Sequence, residues 1–257
     1  MTSRFDVWLD GISLTSLHPG IYITDVKQST VGFADTRVSV GKKDGSILQR
    51  RALEQLDYTV TFMLREYNPA ARQSAVDVIT AWAMTGGALT DSTHEDKFLD
   101  VICTAPPRIE SALRWTDDLS ITFTAYGMPY WQDSEPAVFS HTGTSGGGTV
   151  FGKGSAADCI VYGTVKATGG ALTTLMVRAG TSFMEFSDMT VTQNGTVTFG
   201  YDDHYIYCVK WGNASQIRRR TGESSDELRV PMQTASEFEI TANVSVTSNF
   251  YVRGLYL

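Results

Sequence analysis

The sequence predicts a mainly β protein made of two β-sandwiches, with one α-helix inserted in the first. Three observations carry this prediction. Apolar and polar residues alternate through several short runs, as they do in half-buried strands. One segment, Leu64–Gly87, instead has apolar residues at helical spacing. A glycine-rich segment near the middle of the chain separates the half with the helix from a half that is patterned as strands only.

The first half begins with a hairpin pattern and a long alternating run. Asp44 and Gly45 form a turn dipeptide between two extended runs in "RVSVGKKDGSILQRR". The run "LDYTVTFMLRE" places four apolar residues on one face, which are Tyr58, Val60, Phe62 and Leu64. Two further strand patterns, "KFLDVICTAPP" and "DDLSITFTAYGMPYW", follow the helix. Residues 1–134 are therefore expected to form a β-sandwich packed by the helix.

The helix is predicted over about residues 69–84 from its end signals and its apolar face. Asn68 suits the N-cap, Pro69 suits the first helical position, and Gly86 suits a left-handed C-terminal residue. At 100° per residue one broad face collects Ala75, Val76, Val78, Ile79, Trp82 and Ala83, with Arg72 at its start. Such a face needs a sheet to lie on.

A change in composition near Ser134 predicts a domain boundary. The segment "SHTGTSGGGTVFGKGSA" carries six glycines from Gly143 to Gly154 and is expected to be a loop. Residues 135–257 then read as short strands separated by turns. The strongest hairpin pattern is "TVTQNGTVTF", with Asn194-Gly195 at its turn. This half is predicted to be a jelly-roll or galectin-like β-sandwich.

Composition narrows the function. A net charge of −7 argues against a nucleic-acid binder, which needs a basic face to displace counterions. No run of 18 apolar residues is present, so no membrane insertion is expected. The N-terminus lacks the apolar core of a signal peptide, which predicts synthesis in a cytoplasm. Cys103, Cys159 and Cys208 lack metal-ligand spacing and are expected to be small buried thiols.

No pattern of catalysis or cofactor binding is present, and the chain is predicted not to be an enzyme. The four histidines have no acidic or cysteine partner at a useful spacing, and "STHED" at Ser92–Asp96 is expected to be a solvated turn rather than a metal site. A glycosidase would need paired carboxylates across a cleft. Asp117-Asp118 and Asp202-Asp203 are adjacent, so a strand would send the members of each pair to opposite faces.

The segment "YDDHYIYCVKWG" leaves two interpretations open. Tyr205, Tyr207, Val209 and Trp211 alternate and would share one face of a strand. Rings in such a row usually fill a core, which is the favoured interpretation. The alternative is an exposed glycan-binding face of Tyr205, Tyr207 and Trp211, as in a carbohydrate-binding module for host-surface attachment.

Two long segments carry a family resemblance. "GSILQRRALEQLDYTVTFMLREYNPAARQSAVDVITAWAMTGG", followed by "LDVICTAPPRIESALRWTDDLSITFTAYGMPYWQD", resembles the distal tail (Dit) proteins of long-tailed bacteriophages. The order of a strand pair, an RE-Y-P turn, a helix ending in Trp and Gly-Gly, and a strand into "FTAYGMPYW" is the same. The resemblance covers about Ile12–Asp133 and is weaker beyond, where "SSDEL" and "FYVRGLYL" are also similar.

The resemblance implies a structural virion protein. Members of the family form a hexameric ring at the distal end of the tail, which joins the tail tube protein to the tail-tip or baseplate proteins. The central hole of the ring continues the DNA channel without binding DNA specifically. A galectin-like domain lies outside the ring. This implies a location in the virion at the tail tip and no cofactor.

Two stretches are the expected contacts of the ring with itself or its partners. The first is Ile47–Arg51, which follows a turn and carries Ile47, Arg50 and Arg51. The second is the corner Arg65, Glu66 and Tyr67 that enters the helix. The alternative is that these charges form ordinary local ion pairs, which are common on surfaces and weak.

Overall fold

The structure is a computed structural model that describes residues 5–29, 32–39, 46–108, 116–212 and 215–257. The chain divides into two compact units, Met1–Trp131 and Gln132–Leu257. In the first unit the elements are β1 Val7–Leu9, β2 Ile12–Ser13, β3 Ile21–Gln28, β4 Phe33–Ser39, β5 Ser46–Leu53, β6 Leu56–Arg65, α1 Pro69–Met84, β7 Gly87–Asp91, β8 Lys97–Ala105 and β9 Thr116–Ala125. A short strand, β10 Trp131–Asp133, spans the division.

Strand β6 is the centre of the first unit. It pairs antiparallel with β3 on one side and β9 on the other, and β9 pairs in turn with β8. The predicted alternation is confirmed, because every second residue of β6 is at most 1% exposed: Leu56, Tyr58, Val60, Phe62 and Leu64. β8 also pairs with β7, and β7 pairs with β1.

The predicted helix is confirmed at both ends. Asn68 Oδ1 accepts the N–H of Ala70 at 2.9 Å and that of Ala71 at 3.3 Å, and Pro69 is the first helical residue. Gly86 follows the last turn with φ +64°, in the left-handed region that glycine adopts without a steric penalty. The local sequence thus sets both ends of α1.

The buried face of α1 is narrower than expected. Ala75, Val76, Ile79, Trp82 and Ala83 are buried as predicted, and Arg72 is buried with them, but Val78 is 48% exposed. Val78 lies roughly 100° around the helix from the centre of the buried stripe, so its side chain falls at the edge of the face. The Trp82 ring packs edge-on against Phe123 at 6.0 Å between centroids, and its Nε1 donates to the Ile12 carbonyl at 3.1 Å.

The second unit contains β11 Ala137–Phe151, β12 Ala157–Ala167, β13 Leu175–Ala179, β14 Ser182–Phe186, β15 Thr196–Tyr201, β16 Tyr207–Lys210, the 3-10 turn Ile217–Arg219, β17 Arg229–Val230 and β18 Ala235–Tyr256. Two long strands, β11 and β18, pair over almost their whole length. They take part in two sheets, because β12 pairs with the second half of β18 and β13 pairs with its first half.

We call these sheets I and II. Sheet I has the order β16-β15-β12-β18-β11, and sheet II has the order β14-β13-β18-β11. Their inner faces share one apolar core, in which the Phe238 ring lies 4.5 Å from Phe139 and 5.1 Å from Phe250 between centroids. This arrangement is a β-sandwich.

The expectation that the glycine-rich segment is a loop is wrong, because strand β11 runs through most of that segment. The register shifts between Gly143 and Ser145, and Gly143 has φ +145°. A Cβ on Gly146 would collide with the His141 ring, and one on Gly148 would lie 3.0 Å from the Phe139 ring. The glycines therefore let one strand bend from sheet I into sheet II instead of ending it.

The predicted Asn194-Gly195 hairpin is also wrong. Asn194 has φ +67° and the Gly195 N–H bonds to the Thr192 carbonyl, so a turn is present. However, β15 pairs with β12, with Val197 opposite Val165, while Val191 bridges to Leu172. After the turn the chain therefore pairs with β12, and it does not fold back on residues 190–193.

The helix supplies a stability test. We expect Ile79→Ala to lower the free energy of unfolding by about 2–5 kcal/mol, because Ile79 is fully buried and its loss leaves a cavity. The matched control is Val78→Ala on the same helix, which should cost less than about 0.5 kcal/mol. Denaturant unfolding followed by tryptophan fluorescence measures both. Equal losses would contradict the packing described for α1.

Candidate functional site

The corner between β6 and α1 is built from local contacts. The Arg65 guanidinium lies 5.0 Å from the Tyr22 ring centroid, and Arg65 Nε donates to Met63 Sδ at 3.4 Å. Glu66 Oε1 accepts the Asn68 N–H at 2.9 Å, and its Oε2 lies 3.5 Å from His18 Nε2. These contacts hold the chain where it turns into the helix.

The three predicted contact residues of this corner therefore differ in role. Arg65 and Glu66 have partners within the unit, which is the local pairing considered as the alternative for these charges. Tyr67 is 77% exposed and extends from the corner into solvent. Arg65 is exposed as well, so Arg65 and Tyr67 both have surface that another molecule could contact.

A two-stranded arm extends from the first unit. β4 and β5 pair antiparallel from Phe33 opposite Leu53 to Ser39 opposite Ser46, in a sheet of their own among the described residues. Ile47, Arg50 and Arg51 lie in β5, but their side chains are outside the described part of the chain, as is the Asp44-Gly45 turn. The predicted pairing of the two extended runs is confirmed.

The arm is rooted between the two central strands. β3 and β6 pair as far as Gln28 opposite Tyr58, and the chain then leaves β3 for β4 and returns from β5 to β6. At the base, the Ser29 N–H donates to the Asp57 carbonyl at 2.8 Å and the Asp57 N–H donates to Ser29 Oγ at 2.9 Å. The Glu54 N–H donates to the Gly32 carbonyl at 3.0 Å. The arm thus continues a hydrogen-bonded hairpin out of the sheet.

The outward face of the central sheet is rich in hydroxyl groups. Its described positions include Thr59, Thr61, Thr104, Ser120, Thr122 and Thr124. Thr59 and Thr122 bond across β6 and β9 at 3.1 Å, and Thr104 and Thr124 bond across β8 and β9 at 3.0 Å. We call this surface the threonine face. Thr124 Oγ1 also donates to Asp57 Oδ1 at 2.6 Å, so the face is polar and includes one half-buried carboxylate.

A buried polar cluster, which the sequence did not reveal, lies at the end of the first unit. Asp91 is 2% exposed and accepts hydrogen bonds from the Tyr58 hydroxyl at 2.6 Å and from the Thr93 hydroxyl at 2.6 Å. His94 Nδ1 lies 2.9 Å from Asp91 Oδ1, and its ring stacks on Trp131 at 4.0 Å between centroids. Trp131 Nε1 donates to Gln28 Oε1 at 3.0 Å.

Ser92–Asp96 forms the expected turn, in which Thr93, Glu95 and Asp96 are exposed. What the sequence did not reveal is that His94 has an acidic partner, the buried Asp91 just before the turn. Burial raises the pKa of Asp91, but the hydrogen bonds from Thr93 and Tyr58 outweigh it and hold the pKa below its ordinary value. Burial and the bond to Asp91 raise the pKa of Tyr58 far above its ordinary value. Asp91 is therefore an anion that fixes one end of the sheet. The only sequence clue was the Asp-x-x-His spacing.

The alternative of an exposed aromatic face is wrong for two of its three residues. Tyr207 is 7% exposed and Trp211 is 8% exposed, and both belong to the core of the second unit. The Trp211 ring packs edge-on against Phe186 at 5.3 Å between centroids. Tyr205 lies before β16 with φ +58° rather than in the strand. Tyr207 and Trp211 therefore fill the core, as the favoured interpretation predicts.

The described residues hold no cluster of three or more metal-ligating side chains. In that same part of the chain, no helix is long and apolar enough to cross a membrane. Cys159 and Cys208 are buried and Cys103 is half-buried, all three as free thiols, and burial raises the pKa of each. They fit the predicted structural role.

Comparison with known proteins finds likeness in structure only. No protein family model matches the sequence, and no curated protein matches it. The structure is similar to that of the Dit protein of phage SPP1, described as a paradigm of the hub adsorption apparatus in phages infecting Gram-positive bacteria. The TM-score is 0.64 at 11% identity, over 98% of this chain and 99% of that one.

Two baseplate structures of phage P2 in its activated conformation are more distant. The structure with Ca has a TM-score of 0.48 at 10% identity, over 99% of this chain and 98% of that one. The structure with Sr has a TM-score of 0.46 at 11% identity, over 97% of both chains. The likeness to the SPP1 protein spans both units, and it confirms the predicted fold: mainly β, with one α-helix among the described residues.

The buried cluster supplies a pH test. We expect Asp91→Asn to lower the free energy of unfolding at neutral pH by about 1–3 kcal/mol, because a buried charged acceptor is lost. Since the pKa of Asp91 is lowered in the folded state, its contribution is present above the ordinary value of 3.8 and is lost as the pH falls through the folded pKa. The difference from the native chain should therefore shrink in acid.

The control is Asp96→Asn, which removes an exposed carboxylate from the same turn. It should change stability by less than about 0.5 kcal/mol at either pH. Denaturant unfolding at neutral and acidic pH measures all three chains. A difference for Asp91→Asn that grows in acid would contradict the lowered pKa.

Proposed function

We propose that this chain is a structural protein of a phage tail tip. The observation that carries the proposal is the fold shared with the SPP1 hub protein over both units. The same family was indicated by the sequence itself, from the order of strands and helix in the first half. In this role the chain joins the end of the tail tube to the tail-tip or baseplate proteins, and it carries no catalytic centre.

The ring form of the proposal is supported by the arm. A two-stranded ribbon is at best marginally stable in water by itself. β4 and β5 are seven and eight residues long and pair only with each other in the described chain. Packing the ribbon against a neighbouring copy would remove this weakness. Repeated head-to-tail contacts of this kind close into a ring when the rotation allows it, here a ring of six.

The threonine face is the surface we assign to the channel. Duplex DNA is a dense polyanion, and cationic side chains would retain it by releasing its counterions. Hydroxyl groups that already bond across strands, such as the Thr59–Thr122 and Thr104–Thr124 pairs, offer no such attraction. Asp25 and Lys27 on β3 lie 3.3 Å apart as an ion pair, which limits their field. DNA would pass this face without specific binding.

The first test is the mass of the purified chain. We expect light scattering to give a discrete hexamer, or two stacked hexamers, at high protein concentration, because each copy offers one arm and one site for an arm. Dilution should shift the distribution toward the monomer. A chain that stays monomeric up to the solubility limit would contradict self-assembly through its own contacts.

The second test removes the arm. Residues 33–53 are replaced by a short Gly-Ser turn, which leaves the Ser29–Asp57 base intact. We expect the fold to persist, because β3 and β6 still pair, while the hexamer is lost. A finer variant is the double charge reversal Arg50→Glu and Arg51→Glu, which should weaken assembly by about tenfold or more.

The control for the finer variant is Lys153→Glu with Arg218→Glu. Both side chains are exposed in the second unit, and the pair changes the net charge by the same amount. It should leave assembly through the arm unchanged. Light scattering measures the mass, and circular dichroism confirms the fold. Native assembly of the arm-less chain would remove the arm from the interface.

A further inference from the structure

The sandwich of the second unit has two outward faces of different charge. The outward positions of sheet I form rows across its strands, of which one runs Val138, Tyr251, Tyr162 and Gly200, and the next runs Ser140, Asn249, Thr164, Thr198 and Lys210. Lys166 lies in the third row, and Arg253 lies beside the first. The charged side chains of these rows, among the described residues, are all cations. We call this surface the basic face.

Carboxylates approach the basic face at its ends. Asp202 lies in the turn after β15, where its Oδ1 accepts the N–H groups of His204 and Ile206 at 2.9 Å. These bonds, with the nearby charges of His204 and Lys210, hold the pKa of Asp202 below its ordinary value. Asp158 lies at the start of β12, where its Oδ1 accepts the Met232 N–H at 3.3 Å. Neither residue lies within the rows, so the cations dominate the centre.

Two stacked tyrosines lie at the centre of the basic face. The Tyr162 and Tyr251 rings stack at 5.3 Å between centroids with 22° between their planes, and the Arg253 guanidinium lies 5.1 Å from the Tyr162 centroid. Val138, beside Tyr251, is 58% exposed. Because the rings stack on each other, one face of each ring is covered by the other. This arrangement suits a protein surface, where Tyr and Arg are enriched, better than a stacked sugar.

The outward face of sheet II carries the opposite charge. Its charged positions in the described chain are Glu185, Glu237, Glu239 and Arg178. Arg178 Nε lies 3.5 Å from Glu239 Oε2, so one cation is already paired. Glu185 and Glu237 are exposed and add to an excess of negative charge. Phe151, at one end of this surface, is 49% exposed. We call this surface the acidic face.

We propose that the basic face of one copy docks on the acidic face of a neighbouring copy. The two faces have complementary charge, and being opposite surfaces of one sandwich they give a head-to-tail contact. Each face spans about 20 Å by 20 Å at ordinary strand spacing, or roughly 400 Å². A stable interface takes about 800 Å² per partner, so this contact reinforces an assembly that another interface starts. In this respect it rests on the proposed ring.

A charge swap tests the contact. One variant carries Lys166→Glu and Lys210→Glu on the basic face, and a second carries Glu185→Lys and Glu237→Lys on the acidic face. Arg178, Glu239 and Arg253 are left alone because they have partners within the unit. We expect each variant to weaken assembly by about tenfold or more in sedimentation at low salt. A chain with all four changes should recover most of the loss, since the charges are again opposite.

The matched control is again Lys153→Glu with Arg218→Glu, which gives the same net charge as the first variant and should assemble normally. Raising the salt should also weaken the native contact, because it is electrostatic. If the native chain assembles and none of the charge reversals weakens that assembly, the contact between the two faces is wrong. The proposed ring would then still stand. Failure of the four-change chain to recover, or an equal loss in the control, overturns the contact as well. A native chain that is monomeric at all concentrations overturns the contact and the ring together.

Discussion

The first unit depends on one constraint: the inward face of strand β6 must be kept away from water. Its inward side chains are almost completely excluded from water, so it must have a partner strand on each side and a helix or sheet over its buried face. β3 and β9 supply the partners, and α1 contributes Trp82 to the same core through Phe123. The same strand places Tyr58 against Asp91, which fixes the sheet at the end where the chain leaves this unit. The arm also depends on β6, because its second strand runs directly into it.

The parts of the fold that were predictable from sequence are those that local chemistry decides. Asn68, Pro69 and Gly86 mark the ends of α1 without help from the rest of the chain, and the alternation of β6 needs only its own residues. The glycine-rich strand was not predictable, because its partner in β18 lies about a hundred residues later and the residues that exclude a Cβ become neighbours only on folding. The turn at Asn194 was recognisable, but its hairpin was not, since β12 competed for the same strand.

The candidate surfaces likewise divide into those that local sequence predicts and those that depend on distant partners. A corner such as Arg65–Glu66 can be expected from sequence, but its pairing with Tyr22 and His18 depends on β3 and the loop before it. The aromatic pattern of β16 suggested a ring platform, whereas the stacked pair Tyr162 and Tyr251 lies on other strands and is brought together by the register of β12 and β18. A surface made by register has no signature along the chain, because its members are far apart in sequence.

The arm, the threonine face and the two charged faces are the surfaces on which the proposed assembly rests. The central claim is that copies surround an open channel, and images of the purified assembly by electron microscopy test it most directly. The account predicts a closed ring with an empty centre in views along its axis. Filled, compact particles or open chains of copies would contradict it.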